Sequence, residues 1–556
     1  MREISQSFLL YKEEDIMCKS CVPLSECQVS TKIGLHNHTD YSNLRLLDSI
    51  NRIEDLLETA VELNYSGIAI TEHEFVGNHH KAIKLVEKYK EEGKLPQDFK
   101  LILGNEIYLI EDVEWYKENY GKREHDVRFF HYLLLAKNEE GHKALRKLSS
   151  QAWKNSFNTG LMERVPTEEW YLEKIVKEHP NTLMATSACM GGRIPYEIML
   201  AKNHADIAKK LQNGEAIPRK SDWQLMQQHK QQQKEGKYTF KYSFYENKLI
   251  EEGYNTTYEE ELMKAKQALE RAKDYIKWNI SLFGKEDFYL ELQPATYSDQ
   301  VFVNQQLVRL AEEFGLKLVI TSDAHYARPS EAKIHEAFLN AKEGDREVAD
   351  FYGHTYLHSV QEIYEKMSYL PKEVITQALK NTLEVGDKVE SYSLEQETII
   401  PRIDVPKFTN KHIFKKWYDK YEYIEKMSNS KEEQDRYLMH LIEEGFLELI
   451  PFQSMSEERF HVYLDRINKE VGELWKLSEK MKQTVSSYYV TTARIVDIIW
   501  ADDECDASFE SGSLVGFGRG SAVAFLINYL MKITMVNPLE YGIEIPHWRL
   551  GNNLPM

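Results

Sequence analysis

The chain has 556 residues, 42% of them hydrophobic and 12% aromatic, so it can form more than one core. Its start, MREISQSFLLYKEED, does not resemble a signal peptide, no apolar run reaches the ~20 residues of a membrane span, and five cysteines are too few for a disulfide framework. We therefore expect a cytoplasmic protein of several domains, and its net charge of -19 argues against a surface that binds nucleic acid throughout.

Residues 1–30 are predicted to be an N-terminal extension. Cys18, Cys21 and Cys27 lie in it at spacings that suggest a zinc knuckle, but a fourth ligand at suitable spacing is missing. Free thiols are the favoured interpretation.

Between residues 31 and 345 short apolar runs alternate with helical patterns. The runs are GIAITEHE, LILGNEIYLI, FHYLLLAKN, TLMATSA, FYLELQ and KLVITSDAHY. Strands that alternate with helices predict an α/β domain with a parallel sheet or barrel. The Gln- and Lys-rich segment 200–262 is predicted to be an insertion. Its alternating lysines and aromatic residues would suit a DNA-binding strand, but a solvated helix followed by a hairpin is the favoured interpretation.

From residue 346 to 556 the pattern becomes mainly helical, with periodic segments around 360–390, 430–450 and 456–502. A second domain is expected to begin there. Near its end, SGSLVGFGRGSAVAFLINYL places a glycine-rich turn before an apolar helix.

Metal-binding residue types recur inside or at the ends of the apolar runs, where alternating strands and helices build active sites. His, Asp, Glu and Cys are donors that zinc, manganese and iron prefer, and such metals promote phosphoester hydrolysis. The nine candidate ligands are His36, His38, Asp48, His73, Glu106, His131, Cys189, Asp323 and His325. The first two lie two residues apart, so on a strand both would project from one face.

The motifs LHNHTDYS, AITEH, GNEIY, FHYLLLAKN, TSAC and TSDAHY, in this order, resemble the PHP domain of bacterial DNA polymerase III alpha subunits and their phage relatives. The resemblance implies a distorted (β/α)7 barrel, the nine ligands above with zinc, manganese or iron, and a proofreading 3'-5' exonuclease in which His36, His38, Asp323 and His325 are catalytic. Arg45 stands where the family has its first acidic ligand, so Asp48 is assigned that role. Glu72 replaces the commoner Asp and is expected to support a ligand or to face solvent.

In GFGRGSA, three glycines (Gly516, Gly518 and Gly520) allow positive φ, and Ser521 is expected to cap a helix that begins at Ala522. The string resembles the C-family polymerase motif that opens a palm-domain helix and binds nucleotide phosphates. The resemblance implies that residues 346–556 form a mainly helical α+β palm segment. It also implies that Gly518, Arg519, Gly520 and Ser521 hold a dNTP, which would carry Mg in the completed polymerase.

The catalytic Asp-x-Asp pair that follows this motif in the family is not found before Met556. The expected explanation is a split gene, whose second polypeptide supplies the aspartates, thumb and fingers, or else a truncated chain. The expected partners are DNA, dNTP and that polypeptide, without a membrane. The alternatives are a stand-alone PHP phosphoesterase on small phosphate esters, a non-catalytic scaffold of a polymerase complex, and a degenerate barrel that binds no metal.

Overall fold

The computed structural model describes residues 29–44, 47–120, 122, 127–159, 162–213, 256–341, 350–395, 399–500 and 516–545. The three cysteines near the N-terminus and most of the 200–262 segment lie outside these residues. The chain divides into two compact units, Met1–Glu395 and Gln396–Met556. The first unit extends past the change of pattern near residue 346, because a later helix packs on its sheet. In that helix Asn381 donates a hydrogen bond to the Leu318 carbonyl at 2.7 Å.

Ten strands are described in the first unit, and all six apolar runs predicted as strands are confirmed. They are β1 (Ile33–Gly34), β2 (Gly67–Ile70), β3 (Lys100–Ile110), β4 (Phe130–Ala136), β5 (Phe157–Thr159), β6 (Met162–Arg164), β7 (Pro166–Glu168), β8 (Leu183–Thr186), β9 (Phe288–Leu292) and β10 (Lys317–Ile320).

The main sheet has the strand order β1-β2-β3-β4-β8-β9-β10, with β7 paired to β3. Every neighbouring pair is parallel except those of β4, which is antiparallel to both β3 and β8. The two outer strands meet just beyond their ends, where Asn37 and Ala324 form a parallel bridge. There the His38 amide donates to the Ala324 carbonyl at 2.9 Å. Seven strands thus curl into the distorted barrel that the sequence predicts.

The helices of the first unit cover the sheet. They are α1 (Ile53–Glu62), α2 (His79–Glu91), α3 (Val113–Asn119), α4 (Glu139–Lys154), α5 (Glu169–Glu178), α6 (Arg193–Gln212), α7 (Tyr258–Phe283), α8 (Ser298–Phe314), α9 (Ala332–Leu339), α10 (Val360–Lys366) and α11 (Lys372–Asp387). Local signals set several of their ends. Thr257 and Glu260 form a capping box at the start of α7, and Gly315, in the left-handed region, ends α8.

The second unit is helical, as predicted. Its helices are α12 (Glu422–Ser428), α13 (Glu433–Leu449), α14 (Glu457–Met481), α15 (Ser486–Trp500) and α16 (Leu526–Leu530). They share one core, which includes Leu438, Ile442, Leu464, Ile467 and Leu526. None of the helices in the described parts of either unit is long and apolar enough to cross a membrane.

Candidate metal centre and glycine-rich turn

All nine predicted metal ligands lie in the first unit, and the structure brings them to one edge of its sheet. Most of them follow the carboxyl end of a parallel strand, as expected. His131 differs, because it is the second residue of β4. Since β4 runs antiparallel to its neighbours, its beginning lies at the edge where they end. The reversed strand therefore delivers its histidine to the same place.

The His-x-His pair lies beyond β1, which ends at Gly34, so the expectation that both histidines lie on a strand is wrong. Their Nε2 atoms nevertheless converge. That of His36 lies 3.3 Å from both a Glu106 and an Asp323 carboxylate oxygen. That of His38 lies 3.1 Å from Asp323 and 3.4 Å from Glu106. The backbone bridge at Asn37 holds the pair in register with the segment that follows β10.

Asp48 joins two further histidines. Its Oδ2 atom lies 2.7 Å from His73 Nε2 and 2.9 Å from His325 Nε2. The other nitrogen of His73 lies 2.8 Å from Glu106 Oε2. Asp48, which was assigned in place of the residue at position 45, is therefore at the centre of the cluster.

His131 and Cys189 complete the cluster on its outer side. The His131 Nδ1 atom lies 2.9 Å from Glu106 Oε1 and 3.5 Å from the Cys189 sulfur. The imidazole of His131 is 25% exposed, whereas Glu106 is buried. His131 therefore stands where the centre opens to solvent.

The donor set fits divalent metals. Three groups have ligand atoms within 4.8 Å of one another: His36 with His38 and Asp323, His38 with His73 and His325, and His73 with Glu106 and His131. Four donors at about 2.1 Å from a tetrahedral zinc would lie about 3.4 Å apart, close to the spacings seen here.

Two atoms in the cluster support the same conclusion. His36 Nε2 and Glu106 Oε2 are buried and make no hydrogen bond among the described residues, although charged partners lie nearby. Both atoms therefore lack a well-aligned hydrogen-bond partner in the described parts of the chain, as expected of atoms that bind a metal ion.

Glu291 orients His36 and was not among the predicted site residues. Its Oε1 atom lies 2.8 Å from His36 Nδ1, and its carboxylate also accepts hydrogen bonds from Thr186 and Thr321, each at 2.6 Å. Because Glu291 favours a proton on Nδ1, Nε2 is the nitrogen of His36 through which a metal would bind. The available signal was a glutamate inside the apolar run FYLELQ, where all five residues of β9 are buried.

Glu72 acts in a similar way on His38. It is buried and accepts hydrogen bonds from Thr39, Asn78 and the Ser42 hydroxyl, the last at 2.5 Å. The Ser42 oxygen in turn lies 3.2 Å from His38 Nδ1. Of the two expectations for Glu72, exposure to solvent is wrong, and its contact with His38 through Ser42 is the one that support of a ligand would need.

The electrostatics of the cluster favour positive charge. Burial raises the pKa of Glu106, but the imidazoles of His131, His36 and His73 outweigh it and hold that pKa well below its usual value. Conversely, burial lowers the pKa of His36, but Asp323, Glu291 and Glu106 raise it well above its usual value. His38 is different, because burial and the neighbouring His73 lower its pKa to about 3, so its ring is neutral even without a metal. At His36 a bound metal would take the place of the proton that the surrounding carboxylates favour.

A cavity of about 470 Å³ opens above the centre. Six of the nine candidate ligands line its floor: Asp48, His73, His131, Cys189, Asp323 and His325. Its walls carry aromatic and basic side chains, among them Tyr120, Phe129 and Arg164. A substrate in this cavity would therefore have direct access to the centre.

The glycine-rich turn belongs to the second unit. Gly518 and Gly520 have φ values of +105° and +62°, whereas Gly516 is not among the described glycines with positive φ. The predicted helix from Ala522 is also wrong. A 3₁₀ helix, Gly520–Ala524, is followed by α16, and Ser521 lies inside the first of these without capping it.

Glu470 explains why the 3₁₀ helix and α16 do not form one continuous α-helix. Its buried carboxylate accepts hydrogen bonds from the amides of Leu526 and Ile527, each at 2.9 Å. In a continuous α-helix these amides would instead bond to carbonyls four residues earlier. Arg466 donates to Glu470 at 2.6 Å and to the Ala524 carbonyl at 2.5 Å. The turn is thus anchored to α14 by a buried ion pair that the sequence analysis missed.

Comparisons with known proteins match two parts of the chain. Residues 34–238 match the family described as PHP domain, and residues 436–551 match the bacterial DNA polymerase III alpha NTPase domain. Asp323 and His325 lie beyond the first match and reach the site through β10.

The chain is also similar to whole polymerases. It is 43% identical over 93% of its length to the probable DNA polymerase YorL of Bacillus subtilis (strain 168) and to the DNA-directed DNA polymerase of Bacillus phage SPbeta, and it covers 35% of each. It is 29% identical over 92% of its length to the DNA polymerase III subunit alpha of Helicobacter pylori (strain J99), of which it covers 33%. The chain therefore spans about a third of these relatives. It carries a PHP domain and a bacterial DNA polymerase III alpha domain, and it is related to bacterial and phage DNA polymerases over more than nine-tenths of its length.

Proposed function

We propose that this chain is the N-terminal part of a replicative DNA polymerase and that its PHP domain is a metal-dependent 3'-5' exonuclease. The observation that carries the exonuclease proposal is the convergence of nine donor side chains below an open cavity. A degenerate barrel would be expected to lose some of these donors, whereas all nine positions hold a metal-binding residue type here.

The nine candidate ligands would hold two or more divalent metals, with zinc, manganese or iron favoured by the mixture of nitrogen, oxygen and sulfur donors. Bound metals would supply hydroxide at neutral pH and neutralise charge on the phosphate under attack. Side chains around the centre hold two of the candidate ligands in place for metal binding. Glu291 and Ser42 fix the ring orientations of His36 and His38, and burial shields both ligands from water.

DNA synthesis is the second part of the proposal. The glycine-rich turn would bind dNTP phosphates through Gly518, Arg519, Gly520 and Ser521, with Mg bound to the nucleotide in the completed enzyme. Because the chain covers only 35% of the related polymerases, we propose that synthesis also requires the remaining regions. Either further parts of the same polymerase chain or a second polypeptide would supply them, and DNA would be the shared substrate.

Nucleotide release from the 3' end of labelled single-stranded DNA tests the exonuclease directly. The wild-type chain, loaded with manganese or zinc, should shorten the strand, and the double variant His36→Ala, His38→Ala should lose this activity together with bound metal. A matched control, His440→Ala, removes an imidazole from the second unit and should leave the activity unchanged.

The alternatives give different results. A small-ester phosphoesterase would hydrolyse a nitrophenyl phosphate but leave DNA intact. A scaffold would hydrolyse neither, and metal analysis would show whether the site is degenerate.

A further inference from the structure

The cavity above the metal centre has a wall that hydrolysis itself does not use. It contains Arg164, the last residue of β6, together with Tyr120 and Phe129. These side chains line the same cavity as the candidate ligands but lie outside the cluster of donor atoms. They are therefore placed to contact a part of the substrate other than the phosphate being hydrolysed.

Neutral groups hold the Arg164 guanidinium in a fixed orientation. Its Nε atom donates to the Thr159 hydroxyl at 3.1 Å, and its Nη2 atom donates to the Tyr120 hydroxyl at 3.0 Å. The guanidinium carbon lies 4.7 Å from the centre of the Phe129 ring. The cation is thus positioned before any ligand arrives, which reduces the entropy cost of binding.

Arg164 has no carboxylate within salt-bridge distance in the described parts of the chain. Arg193, in the same unit, shows the usual arrangement, because it pairs with Glu169 at 2.8 Å and Glu111 at 2.9 Å. Because none of the described carboxylates neutralises it, the Arg164 guanidinium keeps its charge available for an anion in the cavity, and phosphate suits its geometry.

We propose that Arg164 binds a second phosphate of a single DNA strand, next to the phosphate held at the metal centre. This inference rests on the proposed exonuclease. The metal centre accounts for one phosphate, so a separate cation in the same cavity points to a substrate with at least two. A polynucleotide meets that condition and a small phosphate monoester does not. Tyr120, which is 37% exposed, offers a ring on which any base can stack.

The test compares two substrates in the wild-type chain and in Arg164→Ala. One is a single-stranded oligonucleotide, and the other is the p-nitrophenyl ester of thymidine 5'-monophosphate, which has one phosphate. In Arg164→Ala, KM for the oligonucleotide should be about tenfold higher than in the wild type. Both kcat and KM for the small ester should be unchanged. The slope of log KM against log salt concentration should fall by about 0.7, which is the effect of one phosphate contact on a single strand.

Two further variants make the result specific. Arg164→Lys keeps the charge and should restore most of the slope of log KM against log salt concentration. This recovery would show that Arg164→Ala removes a contact with the substrate and does not damage the fold. Arg402→Ala removes one exposed arginine from the second unit and should behave as the wild type. Oligonucleotide affinity is also measured by fluorescence anisotropy in every variant. Equal affinities and salt slopes in wild type and Arg164→Ala would overturn the subsite, whereas failure of the wild type to cleave DNA would overturn the exonuclease.

Discussion

Replacement of Glu291 by Gln is the sharpest test of how the metal centre is organised. The carboxylate accepts from His36 Nδ1 and from two threonine hydroxyls, and its residue is the fourth of the five in β9. Gln has nearly the same shape, so the strand and the core around it should be retained. The amide removes the negative charge that would make His36 a strong ligand. Loss of such a supporting contact typically weakens metal binding 10- to 100-fold, or about 1.4–2.7 kcal/mol.

The assay is a titration of the metal-free protein with zinc or manganese, followed by metal analysis and by nucleotide release from labelled DNA. We expect Glu291→Gln to bind at least one metal 10- to 100-fold more weakly and to regain activity at high metal concentration. Recovery by excess metal distinguishes a weakened ligand from a lost catalytic group.

Glu313→Gln is the matched control. Glu313 lies on the surface of the same unit and pairs with Lys273 at 2.7 Å, so its loss should leave metal affinity unchanged. If Glu291→Gln keeps wild-type affinity while its unfolding curve is unaltered, the proposed role of Glu291 in orienting His36 is refuted.

Three further changes test the packing of both units. Glu470→Ala should lower the free energy of unfolding of the second unit by about 3 kcal/mol in urea, because it leaves two buried amides without their acceptor and the partly buried Arg466 guanidinium without its carboxylate. Gly445→Ala should also destabilise this unit, by more than ~2 kcal/mol, because the added methyl group would overlap the Leu530 carbonyl; an unchanged urea midpoint would contradict this packing. In the first unit, burial raises the pKa of Glu261, but hydrogen bonds from His204, Lys264 and Thr256 outweigh it and bring the pKa to about 2. Since the pKa in the unfolded chain is about 4.3, Glu261 stabilises the fold above that pH, and this contribution is lost as the pH falls toward 2. The difference in the free energy of unfolding between wild type and Glu261→Gln should therefore become smaller as the pH falls from 5 to 3. A difference that stays constant over this range would contradict the proposed contribution of Glu261.

Much of the first unit could be predicted from the sequence because its signals are local. Six apolar runs become strands. The donors His73, Asp323 and His325 follow strands directly. Since parallel strands end at a common edge, their position along the chain was enough to bring them together.

Other features depended on contacts that sequence reasoning could not see. The reversed direction of β4 is a property of the sheet and not of the run FHYLLLAKN. The helix predicted from Ala522 failed because Glu470, more than 50 residues away in the chain, takes two of its amides. Periodicity alone cannot show that a distant carboxylate will compete with the helix for its hydrogen bonds.

The sequence by itself determined which chemistry is present: the nine donors, the strands that carry most of them, and the order of two domain types. The tertiary structure alone decided how the donors are prepared. Glu291 reaches His36 across 255 residues of sequence, and Glu72 reaches His38 through Ser42. The physical reason is that a ligand's identity is a property of one residue, whereas its orientation and its proton depend on partners that only folding brings within hydrogen-bond distance.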